Sequence, residues 1–286
     1  MEDFKLPIKI NSSGEIVLHR LMNPKTNITG LPVIIAHGTL SNSDAVRDLA
    51  IYLSDLGFDC WLLEWGGHGH STPSSNKQDF EFPAFNDAPL AIDTVLEKTG
   101  HQKLYWISHS GGGHLPLMYL ARYPEQQGKI AGIATLGTQA TDAAPDLNYK
   151  FRAAYLWLLS MLFNQVSLKA LPIKMAEGEP TRLLAQWAKW NLRKQWLGND
   201  GFDYMKGIEE LNLPFFMIAG GNDDIAPVSG CKRIYDHIGN DDKTWLECSL
   251  KKGFSRNFTH GQLVKGRAAR EEIYPKIGEW LAARNK

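Results

Sequence analysis

Between Lys103 and Gly113 the chain reads KLYWISHSGGG, an apolar β-type run that ends in a serine set among glycines. Leu104, Tyr105, Trp106 and Ile107 are strand formers, and Gly111, Gly112 and Gly113 lead into HLPLMYLARY, whose apolar spacing is helical. A chain that passes from strand to helix across one residue holds that residue in a strained backbone conformation, with its side chain projecting outward. The residues two before and two after must be small, because strand and helix pack closely there. Ser108-His109-Ser110-Gly111-Gly112 has this pattern, that of the nucleophile elbow G-x-S-x-G, with serine in the first glycine's place. The string alone is weak: a small-x-Ser-x-Gly match arises by chance roughly 0.3 times in a chain of this composition, so its surroundings decide its meaning.

Those surroundings alternate strand and helix. Residues 5–10 and 15–21 read as a hairpin around Ser12-Ser13-Gly14, and Pro32 to Ala36 as a short strand apolar throughout, as expected of a parallel strand covered on both faces. Val46, Leu49, Ala50, Leu53 and Leu56 have helical spacing, with Gly57 placed to stop the helix. Then follow a buried strand at 60–63, a helix over 86–98, the strand at 103–108, a helix to about Tyr123 and a strand at 130–136. Later come a strand at 214–219, a helix around 229–238, a strand at 243–248 and a closing helix from about 268 to 284. This order predicts an α/β fold with a mostly parallel central sheet and helices on both faces. From about Thr141 to Leu211 the rhythm breaks: no convincing strand is present and the pattern is helical and aromatic, with Tyr155, Trp157, Phe163, Trp187, Trp190 and Trp196. This segment is expected to be an inserted helical cap (141–211) on a core formed by 1–140 and 212–286, its aromatics mostly packing and a few lining an apolar pocket.

Bulk properties narrow the field. The chain has 286 residues and zero formal net charge without a basic block, so nothing electrostatic argues for nucleic acid or an anionic membrane. The apolar run Ala153 to Phe163 is too short to span a bilayer, which needs about 20 residues. MEDFKLPIKI lacks the basic and apolar regions of a secretory signal. Cys60, Cys231 and Cys248 are odd in number and far apart, which suits reduced thiols of a cytoplasmic protein better than a disulfide framework. No His or Cys pair has metal-ligand spacing on a helix; His68 and His70 read as turn residues. No metal or cofactor is expected.

A serine hydroxyl is a poor nucleophile at neutral pH. It needs a base, and the base needs a carboxylate to fix its tautomer and stabilise its charged form. On such a sheet the partners follow in the order Ser, Asp or Glu, His, each on a loop after a strand. The strand at 214–219 runs into Gly220-Gly221-Asn222-Asp223-Asp224-Ile225-Ala226-Pro227, and His260 lies in the loop after 243–248. The other histidines fit less well. His19 lies in the first hairpin, His101 before a strand and His237 on a surface-like helix, while His109 and His114 flank the serine and should point away from it. One oxyanion donor is expected from the N–H of Gly111 and a second from the loop Ala36-His37-Gly38-Thr39-Leu40, where His37 braces the turn.

Taken together, the elbow, the His37-Gly38 loop, the acid after the late strand and the terminal histidine resemble the α/β-hydrolase superfamily over most of the chain. The resemblance implies Asp223 as the acid, since Gly220, Asp223 and Pro227 fit the G-x-x-D-x-x-x-P register frequent there and Asp224 does not. An arrangement with the acid after the preceding strand would use Asp142. The resemblance also implies Thr39 as the second oxyanion donor. Glu64-Trp65-Gly66-Gly67-His68-Gly69-His70-Ser71 is similar to the family's D-x-x-G-x-G-x-S loop, with Glu64 in place of aspartate and His70 where arginine is frequent. It is expected to shape the sheet edge. Pro116 is expected to kink or tighten the first turns after the elbow.

The expectation is a serine hydrolase acting on a small-molecule carboxylic ester with an apolar part, esterase- or lipase-like, through an acyl-enzyme on Ser110 with His260 and Asp223. Acyl transfer, thioester or carbon–carbon hydrolysis, and non-catalytic ligand binding on the same scaffold are the alternatives.

Overall fold

The computed structural model describes residues 1–10, 14–73, 78–143 and 178–285, together with 154, 158, 165 and 166. The expected hairpin turn at 12–13, Tyr155, Trp157, Phe163 and most of the 153–163 run lie outside the described residues.

Eight strands form one sheet in the order β1-β2-β4-β3-β5-β6-β9-β10. They are β1 (Glu2–Lys9), β2 (Glu15–Met22), β3 (Pro32–Ala36), β4 (Asp59–Glu64), β5 (Leu104–His109), β6 (Ile130–Leu136), β9 (Phe215–Gly220) and β10 (Lys243–Cys248). β2 is antiparallel to β1 and β4, and every pair from β4 to β10 is parallel. The apolar runs are apolar on both faces for a visible reason. Val33, Ile35, Cys60, Leu62, Tyr105 and Ile107 face one core, and Ile34, Ala36, Trp61, Leu63, Leu104 and Trp106 face the other. Each large side chain buried this way is worth about 1.5–3 kcal/mol, so a one-residue slip of β3 or β5 would lose nothing in hydrophobicity but would misplace every loop that follows.

Helices cover both faces. α1 (Arg47–Asp55) and the terminal α6 (Tyr274–Ala282) close one core; α2 (Ala88–Thr99), α3 (His114–Arg122) and α5 (Val228–His237) close the other. Gly57 stops α1 as expected, at φ +93°. The closing helix starts with a wide π turn at Ala269–Ile273. Pro116 is the third residue of α3, which a 3₁₀ turn at Ser110–Gly113 precedes. There it falls inside a continuous helical run whose first turn is the tighter 3₁₀ form, in line with the tightening expected after the elbow.

Among the described residues of 141–211, where no strand is expected, β7 (Gln165–Val166) and β8 (Glu179–Pro180) form a small antiparallel pair. Two residues per strand are too few to leave a period-two signature. α4 (Thr181–Arg193) follows directly, and its Trp190, with Trp196, packs beside Phe80 and His114. These two indoles are core, and Trp187 is half-buried at the cavity described below.

Strand order reverses between β3 and β5. β3 leads outward to β4, the chain then crosses back to β5, and Ala36 lies beside Ser108. The loops leaving β3 and β5 therefore emerge side by side at the carboxyl edge, the position where open α/β sheets form their crevice.

Candidate active site

Ser110 has φ +53°, in the left-handed region that costs a residue bearing a Cβ roughly 1–2 kcal/mol. The structure holds it there from both sides. Thr138 Oγ1 donates to the Ser110 carbonyl at 2.9 Å, and a Cβ built on Gly38 would stand 2.8 Å from Ser110 Cβ. Gly111 is equally constrained: a Cβ there would come within 2.7 Å of Thr39 Cγ2 and 3.1 Å of Thr39 N. Thr39 N thus lies against Gly111, the residue after the serine, at a position that leaves no room for a Cβ.

Opposite them, Asp223 is buried and Asp224 exposed. Asp223 Oδ1 accepts from the amides of Ile225 (3.0 Å) and Ala226 (2.8 Å), which fixes the carboxylate, and Oδ2 accepts from His260 Nδ1 at 2.7 Å. With its Nδ1 proton on that carboxylate, His260 keeps Nε2 as its basic nitrogen. Gly137, at φ +62°, lies under the pair, where a Cβ would be 3.1 Å from both Asp223 Oδ2 and His260 Nδ1. Asp142 is engaged elsewhere, by Lys194 at 3.1 Å and Arg233 at 3.2 Å.

Ser110, His260, Thr39 and Gly111 line one cavity of about 500 Å³. Its walls are apolar, with Leu40, Phe80, Leu183, Leu184, Trp187 and Ile225; Lys265 is the lone Lys, Arg, Asp or Glu among the described lining residues. Such a surface suits an apolar substrate part and raises the strength of electrostatic contacts inside it.

His109 is a correction. It was expected to turn away from the serine, but it lines the same cavity, its ring 4.5 Å from that of His260. Burial, and then repulsion by His260, hold its pKa well below the usual imidazole range, so the neutral ring donates Nε2–H to the His260 carbonyl at 3.1 Å. Nothing in the string SHSGG signals this contact, because it depends on where a loop 151 residues later comes to rest. His114 also lines the cavity; burial lowers its pKa to about 4, and Nε2–H donates to the Gln139 carbonyl at 2.9 Å. His37 donates Nδ1–H to the Gly38 carbonyl at 2.8 Å and stacks on Trp65, a bracing arrangement, and burial lowers its pKa to about 3.

The loop from Glu64 to Ser71 contributes no lining residue. Burial works against the Glu64 charge, but donors from His19, Ser43 and the His70 amide outweigh it and hold the carboxyl well below its usual range. His19, Glu64 and His70 bring three ligand-type atoms within 4.8 Å of one another. Lys5 Nζ lies 2.8 Å from His70 Nε2, however, and an imidazole giving Nδ1 to a cation would aim its Nε2–H at that ammonium. The cluster reads as an ionic network bracing the sheet edge.

Behind the loop, Asp87 accepts from the Gly66 amide at 2.7 Å, and burial raises its pKa to about 7. The folded chain thus keeps this proton over a pH range where the unfolded chain, near pKa 3.9, has lost it. Stability contributed here is present at low pH and is lost as pH rises from about 4 to 7, by up to about 1.4 kcal/mol per pH unit. Asp87→Asn retains an acceptor for Gly66. Denaturant unfolding at pH 5 and pH 8 should show the variant gaining on the wild type at pH 8; an identical pH dependence would show that Asp87 does not titrate there.

A family model described as the alpha/beta hydrolase fold matches residues 32–176. Lipase 3 of Drosophila melanogaster is 31% identical over 143 residues, 44% of this chain and 36% of that protein. Human lysosomal acid lipase/cholesteryl ester hydrolase is 29% identical over 126 residues, 39% of this chain and 32% of the other. These matches thus span about a third of each relative's length. Among solved structures, a soluble variant of Saccharomyces cerevisiae monoglyceride lipase in complex with a substrate analog superposes with TM-score 0.76 at 15% identity, covering 100% of this chain and 96% of that one. Monoacylglycerol lipase of Paleococcus ferrophilus gives TM-score 0.65 at 20% identity, over 99% and 100% of the two chains. At such identities these two show a shared fold. The sheet with its reversal between β3 and β5, together with a family match over half its length, establishes that this chain belongs to the alpha/beta hydrolase fold family.

Proposed function

We propose that the chain is a serine hydrolase cleaving carboxylic esters that carry an apolar part. One observation carries the reading: His260, tied through Nδ1 to the buried Asp223 at 2.7 Å, lines the same apolar cavity as the strained Ser110. In this reading Ser110 Oγ attacks the ester carbonyl as His260 Nε2 takes its proton. The carbonyl oxygen becomes an oxyanion held by the N–H groups of Thr39 and Gly111, and collapse expels the alcohol, to which His260 returns the proton. Water then attacks the acyl-enzyme with His260 again as base, releasing the acid and restoring Ser110. Asp223 keeps His260 in the required tautomer and stabilises the imidazolium.

The segment 141–211 is the cap in this proposal, supported by Leu183, Leu184 and Trp187 of α4, which line the cavity. The names of the relatives, all lipases, support ester substrates. The buried, unpaired thiols of Cys60, Cys231 and Cys248 fit a reducing, cytoplasmic setting. The test is a series of p-nitrophenyl esters from acetate to palmitate. Each buried methylene contributes about 0.8 kcal/mol, so kcat/KM should climb roughly two- to fourfold per carbon until the cavity is filled. A flat or falling profile from acetate onward would count against an apolar acyl site.

A further inference from the structure

We propose that Glu179 is a positioning residue that holds the oxyanion loop in its working shape; this rests on Thr39 being an oxyanion donor. Glu179 lies in β8, immediately before α4, and its side chain is fully buried. Its Oε2 accepts the backbone N–H of Leu40 at 2.7 Å and faces His68 Nε2 at 2.9 Å. The other ring nitrogen of His68, Nδ1, faces the Trp65 carbonyl at 3.2 Å. Both nitrogens therefore point at oxygen acceptors, the arrangement of an imidazolium paired with a carboxylate.

The Leu40 amide is an unusual place for a buried carboxylate to bind. Leu40 follows Thr39 directly and has φ +59°, a left-handed conformation that strains a residue bearing a Cβ. The easy relaxation is a return to negative φ, which would swing the adjoining peptides and carry Thr39 N away from its place against Gly111. A charge-assisted hydrogen bond to the Leu40 amide opposes that relaxation. The clamp comes from the segment that also supplies the cavity wall at Leu183, Leu184 and Trp187. The clamp thus ties β8, and with it the start of α4, to the oxyanion loop. His68 Nε2 meets the same Oε2 oxygen, which gives the loop after β4 a task although none of its residues lines the cavity.

Glu179→Met keeps the volume and removes the acceptor; Glu179→Gln keeps an oxygen that can accept from Leu40. With p-nitrophenyl butyrate, Glu179→Met should lower kcat by about 10- to 100-fold and leave KM within about threefold, a displaced oxyanion donor being lost mainly in the transition state. The rate of fluorophosphonate labelling should fall with kcat, and Glu179→Gln should recover most of both. Thermal unfolding of each variant is measured beside the kinetics. If the methionine variant does not fold, Glu179→Asp takes its place: its carboxylate falls one methylene short, and an intermediate loss of kcat is expected. Wild-type kcat in the folded variant, or a rise in KM alone, overturns the clamp while leaving the proposed hydrolase intact. Absence of labelling in the wild type, or equal labelling of Ser110→Ala, removes the hydrolase reading and this inference with it.

Discussion

Ser110→Ala is expected to lower kcat/KM for p-nitrophenyl esters by about 10⁴- to 10⁶-fold, the range for loss of the nucleophile from a unit whose members act together. It should also abolish labelling by a fluorophosphonate probe. Alanine keeps the Cβ that stands beside Gly38 and takes on no more strain at φ +53° than serine does, so the fold should persist. Circular dichroism and the unfolding midpoint should match the wild type. The residual rate would come from the two backbone amides and the binding cavity alone. Mapping the probe adduct in the wild type should place it on the peptide containing Ser110. An adduct on another serine, or undiminished labelling of the variant, would end the serine-hydrolase reading.

Asp223→Asn is the second large effect, and it separates chemistry from packing. The asparagine oxygen can still accept from the amides of Ile225 and Ala226, so the loop should stay in place. Its NH₂ group would then face His260 Nδ1, where the carboxylate now accepts a proton at 2.7 Å. Two donors cannot share that contact. The imidazole must accept through Nδ1 and carry its proton on Nε2, the nitrogen that has to act as base. A loss of about 10³- to 10⁴-fold in kcat is expected, with KM nearly unchanged. Asp224→Asn should stay within about twofold of the wild type, since that side chain is exposed beyond the turn. Asp142→Asn should lose only its ion pairs with Lys194 and Arg233, partly exposed contacts worth about 1 kcal/mol or less. If Asp142→Asn or Asp224→Asn were the inactive variant, the acid would have been misassigned.

The fold was largely legible in the chain because buried parallel strands announce themselves. Runs such as PVIIA and LYWI are apolar at every position, since each must satisfy two cores at once. A helix end was legible where glycine marks it, as at Gly57, which has φ +93° after α1. The pair β7–β8 was not, because four residues carry no periodicity. Candidate-site residues were legible where chemistry and chain order coincide: an elbow serine, an acid just after a strand, a late histidine. They were not legible where a contact spans the sequence. His109 touches the His260 loop, Glu179 reaches Leu40 across 139 residues, and neither is marked by its neighbours in the chain.

By itself, then, the sequence determined the strand–turn–helix at Ser110, the alternation that builds a parallel sheet, and the short set of groups able to serve as acid and base. These are local properties, set by backbone strain, side-chain period and residue chemistry. The resemblance implied Asp223 and Thr39; the tertiary structure supplied the contacts themselves, Asp223 Oδ2 on His260 Nδ1 and Thr39 N against Gly111. It also decided that a buried carboxylate from β8 fastens the Leu40 amide. These depend on strand order and register: the reversal between β3 and β5 sets two loops side by side, and contacts between residues far apart in the chain then complete the arrangement.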